Sequence, residues 1–179
     1  MQKRLNKSGQ FYLVTAVILA AVIIGLATVS NYTKNNSNTR VNDMAEELGI
    51  ESAKVVDYGT NQGFNDAQMK DLIGNYTDSY INYTREGNVY FIFGTRSSLR
   101  LVAYQESGSG ETVYFNNGSG ETLLEITPGQ KFTQDFTPTS TTVKIKINSF
   151  QYNFDLSSGE NFYFTLSQKS DGGTFIVTG

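Results

Sequence analysis

Nineteen consecutive uncharged, largely apolar residues, Phe11 to Val29, constrain this chain more than any other feature. At about 1.5 Å per residue, a helix over that run reaches roughly 30 Å, the thickness of a bilayer's hydrocarbon core. Lys3, Arg4 and Lys7 precede it, and no acid occurs before Asn31. Positive flanks stay cytoplasmic, so residues 1–9 are expected inside the cell membrane and residues 31–179 outside it. The lipid bilayer is therefore the first expected partner. A removable secretory signal has a shorter apolar core, about 7–15 residues, followed by a small-x-small cleavage site. Here the run is longer, and Ala27-Thr-Val-Ser30 matches such a site only fairly.

Without those three bases, the chain's 14 basic residues fall to 11 against 17 acids, a net of −6 for the exported part. It contains no cluster of Lys or Arg to neutralise phosphates, so nucleic acid is not an expected partner. Cys and His are absent from the whole chain. Thiolate and imidazole metal sites are excluded, as are nucleophile–His dyads and triads. No disulfide can brace the exported part, which must rely on its own core; about 140 residues can supply one. Tyr and Phe together make 13% of the chain while Pro is rare, a composition suited to an aromatic-rich β domain.

Lys7-Ser8-Gly9-Gln10 stands directly against the apolar run. This leader resembles the class III signal peptides of archaeal type IV pilins and archaellins. The resemblance implies that a prepilin peptidase cuts between Gly9 and Gln10, leaving Gln10 as the mature N-terminus. It further implies that the retained helix packs into the core of a homo-oligomeric surface filament. The match covers residues 1–30. Many archaeal pilins follow the glutamine with a serine and a glutamate, where this chain has Phe11, Tyr12, Leu13 and Val14; archaellins also lack the glutamate. The remainder resembles uncharacterised archaeal membrane-anchored proteins, which implies no particular activity. The same residues also fit an uncleaved signal anchor that carries a non-polymerising binding or adhesion module.

Beyond the leader (1–9) and the membrane helix (10–30), residues 31–40 are polar and Asn-rich and read as a short stalk. A helical segment is expected over 41–87. Val41, Met44, Ala45, Leu48 and Val55 recur at helical spacing within Val41–Tyr58, with Gly59 as the expected stop. The second helix opens on Asn65-x-x-Gln68, the form of a capping box, with Phe64 and Met69 placed as a hydrophobic staple. Its apolar stripe runs Met69, Leu72, Ile73, Tyr76, Tyr80, Tyr83, and Gly87 follows as a stop. Such a tyrosine stripe is either a face that packs on a sheet or a surface on which a ligand stacks.

From Asn88 the period becomes two, and residues 88–179 are expected to form a β domain. Nine strands are read at Val89–Phe93, Leu99–Gln105, Thr112–Phe115, Thr122–Ile126, Lys131–Phe136, Thr142–Ile147, Phe150–Leu156, Asn161–Ser167 and Thr174–Thr178. Val143, Ile145 and Ile147 alternate with Lys144 and Lys146. After Asn148-Ser149, Phe150, Tyr152, Phe154 and Leu156 alternate with polar residues, which predicts a hairpin with one dry face. The expected class is α+β: an N-terminal transmembrane helix, two short helices, then an antiparallel β-sandwich, with the helices between the sandwich and the membrane.

Five N-x-S/T sequons follow the run, at Asn31, Asn35, Asn75, Asn82 and Asn117, and mark glycosylation acceptors for an exported domain. A sixth, at Asn6, falls on the expected cytoplasmic side. Asp66, Asp71, Asp78, Glu106, Glu111, Glu121 and Glu125 are the carboxylates available for paired acid–base chemistry. Acids on a helix or near hairpin ends more often solvate a surface or guard an edge. No nucleophile elbow, phosphate loop or EF-hand pattern is present, and Asp171-Gly-Gly173 reads as a turn. Neither an enzyme nor a cofactor is expected.

Overall fold

The computed structural model describes residues 41–84, 87–170 and 173–179. The leader residues Lys3, Arg4, Lys7, Gly9 and Gln10, the apolar run, the stalk, and Asn31 and Asn35 lie outside the described residues, as does most of the Asp171–Gly173 turn. Among the described residues, no helix is long and apolar enough to cross a membrane.

The described residues are α+β, with helix α1 over 41–61, helix α2 at Asp66–Thr84, and nine strands. The strands are β1 (Asn88–Thr95), β2 (Ser98–Tyr104), β3 (Val113–Asn116), β4 (Glu121–Leu124), β5 (Lys131–Phe136), β6 (Thr142–Ile147), β7 (Phe150–Asp155), β8 (Asn161–Ser170) and β9 (Gly173–Thr178). They form two antiparallel sheets, a five-stranded one in the order β5-β2-β1-β8-β9 and a four-stranded one in the order β4-β3-β6-β7. All nine expected strands are present, with ends shifted by a few residues at most.

α1 continues past the expected stop at Gly59 and ends two residues later, because the terminating residue is Gly63. Gly63 takes the left-handed conformation (φ 69°). Its N–H bonds to Thr60 O at 3.0 Å, and the Phe64 N–H reaches back to Gly59 O at 3.0 Å. This pair of bonds is the Schellman closure, and Phe64 stacks edge-on against Tyr58 (6.1 Å, 86°) as its hydrophobic contact. Gly59 has another task. A Cβ there would meet the buried Met69 side chain and come within 3.0 Å of Leu72 Cδ2, so the absent side chain lets the two helices approach. The capping box is formed: Asn65 Oδ1 accepts from Gln68 N at 3.0 Å, and Gln68 Oε1 accepts from Asn65 N at 3.1 Å.

The two helices are not appended to one end of the strands. Val41, Ala45 and Leu48 of α1 and Met69, Ile73, Tyr80 and Ile81 of α2 share a core with Val89, Phe91, Phe93, Val102, Phe164 and Leu166 of the five-stranded sheet. The other face of that sheet, through Tyr90, Ile92, Leu99, Leu101 and Ala103, packs on Val113, Phe115, Val143, Ile145 and Ile147 of the four-stranded sheet. The five-stranded sheet is thus a middle layer, and β1 is buried along almost its whole length. Val89-Tyr-Phe-Ile-Phe93, an unbroken apolar run in place of an alternating one, is the sequence trace of burial on both faces.

Two expected dry positions are wet. Tyr83 is 78% exposed, because the stripe leaves the sheet before the last turn of α2. Phe150 is 53% exposed at the start of edge strand β7, although its neighbours Phe154 and Leu156 are buried as expected.

Candidate functional site

Two residues one turn apart on α1, Glu47 and Glu51, face Tyr76, Ser79, Tyr80 and Tyr83 of α2 across a groove of about 400 Å³. The spacing on each helix sets this up: positions four apart share a face, and so do Tyr76, Tyr80 and Tyr83. The first two tyrosine rings are rooted in the core. Tyr80 meets Phe91 edge-on at 5.8 Å, and Tyr76 lies against Phe162 at 6.2 Å. Burial, reinforced by the charges of Glu51 and Glu47, pushes both phenols above their ordinary range. They remain neutral at any physiological pH and are poor proton acceptors there. Among the described residues, the groove combines two carboxylates with neutral π-faces and is lined by no basic side chain. That chemistry suits an ammonium or guanidinium group, held by charge and by the ring quadrupoles.

A second polar cluster sits where β1, β2 and β8 meet the loop before β3. Glu111 accepts from the buried Tyr90 hydroxyl at 2.7 Å and from Ser167 Oγ at 2.6 Å. Gln105 Nε2 donates to Tyr90 Oη and to Glu111 O, both at 3.1 Å. Burial and the Glu111 charge raise the Tyr90 phenol far above its usual range. Beside it, Glu106 accepts from Gly87 N at 3.2 Å. These bonds satisfy buried groups internally and pin the loop to the middle sheet.

At the opposite end of β1, Lys70 is 9% exposed and donates from Nζ to Ser98 Oγ at 2.5 Å, tying α2 to the β1–β2 turn. Burial, with Asp66 adding to it and Lys70 opposing it, holds the Glu160 carboxyl above its ordinary value. Arg100 grips Asp135 with two hydrogen bonds, 2.8 and 3.0 Å, which hold that carboxyl below the usual carboxylate range.

Apart from Glu106 and Glu111 in the second cluster, the candidate acids are not brought together. Asp66 lies in the first turn of α2, Asp78 pairs with Lys131 of β5, and Glu121 stands 4.0 Å from Lys146. Asp71 and Glu125 are exposed. Among the described residues, no group of three or more acids is placed to hold a metal ion.

Asn75 and Asn82 are exposed on α2, but Thr77 of the first sequon is fully buried, its hydroxyl bonded to Gly74 O at 2.9 Å. Asn117 is half-buried; its Nδ2 donates to Thr137 O at 2.9 Å while its Oδ1 accepts from Ser119 Oγ at 2.7 Å. The placement of Glu47 and Glu51 opposite the α2 tyrosines is not among the expectations read from the sequence. Their four-residue spacing was the available signal. No protein-family model, curated protein or solved structure matches this chain.

Proposed function

We propose that the protein is a membrane-anchored extracytoplasmic surface protein, built as a pilin-like structural subunit of a surface filament. One observation carries this reading: the charged, small-residue leader Lys7-Ser8-Gly9-Gln10 abuts an apolar run long enough to span a bilayer. The compact unit Arg40–Gly179 supplies the body that this reading places outside the membrane. Mass spectrometry of the native N-terminus tests the proposal. A mature chain starting at Gln10 is expected, and a chain that retains Met1 to Gly9 overturns it. Intact mass also reports on Asn75, Asn82 and Asn117, with glycan expected on at least one of the five outer sequons.

The groove of Glu47, Glu51, Tyr76, Tyr80 and Tyr83 favours a second reading, a non-polymerising surface module that binds a cationic group. Titration with a tetraalkylammonium salt, followed by tyrosine fluorescence, is the direct assay. Saturable binding that is lost in Glu47→Gln/Glu51→Gln supports it, and a response identical in that variant sinks it. Electron microscopy of the leader-processed protein separates the two readings, filaments supporting the first and only non-polymeric particles the second.

A further inference from the structure

Each sheet ends in two edge strands, and three of the four edges carry charge: Glu121 in β4, Lys131 and Asp135 in β5, and Asp155 in β7. Charged residues and short length are the usual means by which an edge is kept from pairing with another chain. β9, Gly173-Thr-Phe-Ile-Val-Thr178, has no charge and no Pro, and it is rich in β-branched and aromatic residues. It is the undefended edge.

The hydrogen-bond register shows which of its backbone groups have no strand partner among the described residues. Phe164 and Gly179 exchange both bonds, N–H to O at 2.9 and 3.2 Å, so they form a hydrogen-bonded pair. In the same register Val177 pairs with Leu166 and Phe175 with Gln168, so these also turn their backbone groups toward β8. Thr174, Ile176 and Thr178 turn theirs outward. On the helix-side face, Val177 also borders a groove of about 770 Å³ lined by Ala45, Gly49 and Val56 of α1 and by Phe162 and Phe164 of β8.

We infer that β9 pairs antiparallel with β9 of a second copy of this chain, across a two-fold axis at Ile176. In that register Ile176 meets its own counterpart, and Thr174 meets Thr178 of the other copy. Every outward N–H and C=O of those three residues then finds a partner. Phe175 falls opposite Val177 of the other copy, an aromatic–β-branched cross-strand pair on the helix-side face. That brings the ring to the mouth of the apolar groove beside Val177. A strand free of charge meets no like-charge penalty when it pairs with itself, and the contact is isologous. The inference does not depend on the filament reading, since a two-fold contact closes a pair whereas a filament needs head-to-tail surfaces.

The chain has no cysteine, so cross-linking reads the register directly. Full-length Phe175→Cys and Val177→Cys chains, co-expressed, face each other at a non-hydrogen-bonded pair about 4.5 Å apart between Cα atoms, within disulfide reach. Disulfide-linked dimers are expected from the mixture and not from either variant alone. Adding Thr174→Lys/Thr178→Lys sets like charges opposite each other and is expected to cut the cross-link yield by about tenfold or more. Adding Thr174→Lys/Thr178→Glu instead sets Lys against Glu and is expected to restore it. No disulfide in the mixture, equal yield from each variant alone, or a yield indifferent to the Lys/Lys change overturns the inference.

Discussion

Three helix-interior glycines, Gly49, Gly59 and Gly74, permit a controlled test of the packing described here. In an exposed helix interior, replacing Gly by Ala stabilises by about 1 kcal/mol, because glycine loses more backbone freedom on folding. A Cβ added at Gly49 or Gly74 meets nothing within 4 Å, so each Gly→Ala change is expected to deliver that full amount. In a folded unit of this size, 1 kcal/mol raises the melting temperature by about 3–4 °C. At Gly59 the same Cβ drives into the buried Met69 side chain and crowds Leu72. Overpacking of that kind costs about 1–3 kcal/mol, which cancels or exceeds the propensity gain. Gly59→Ala is therefore expected to be neutral or to destabilise by up to about 2 kcal/mol. Thermal melts followed by far-ultraviolet circular dichroism on the full chain in detergent provide the assay. A Gly59→Ala protein that melts as high as Gly49→Ala would refute the claim that α1 and α2 touch at Gly59.

Asn65→Ala removes one half of the capping box and leaves the Gln68 N–H of α2 without its cap; a loss of about 1 kcal/mol in chemical denaturation is expected. Tyr90→Phe leaves Glu111 without its donor on β1 and Gln105 without one acceptor, and is expected to destabilise by about 1.5–3 kcal/mol. Its effect should shrink in a Glu111→Gln background, as a double-mutant cycle would show. Glu160 has a folded-state pKa raised by burial and by Asp66, so in the window just above its unfolded pKa the folded state holds the extra proton. Stability contributed by this group falls as pH rises through that window. Glu160→Gln is expected to stabilise the protein at pH 7 and to change little at pH 3, which denaturation midpoints at the two values would reveal.

Local signals in the sequence determined much of the fold. Asn65 to Gln68 specified the start of α2, because a capping box needs only four adjacent residues. The alternation of Val143, Ile145 and Ile147 with Lys144 and Lys146 specified β6, because a two-residue period has few other uses. The apolar run Phe11–Val29 and its basic flank are likewise sequence-level facts, and the membrane reading rests on them alone. Tertiary structure decided what depends on partners distant in the chain. Gly59 reads as the stop of the first helix, yet Gly63, four residues on, takes the positive φ while Gly59 makes room for Met69. The tyrosine stripe read as one face, yet it divides. Tyr76 and Tyr80 root in the core through Phe162 and Phe91, while Tyr83 overhangs the sheet and stays wet. The facing of Glu47 and Glu51 toward that stripe, and the edge position of the uncharged β9, arise from the way the helices lie on the middle sheet and from strand order. Neither leaves a periodic trace, because a sequence records which faces are apolar but not which neighbour covers them.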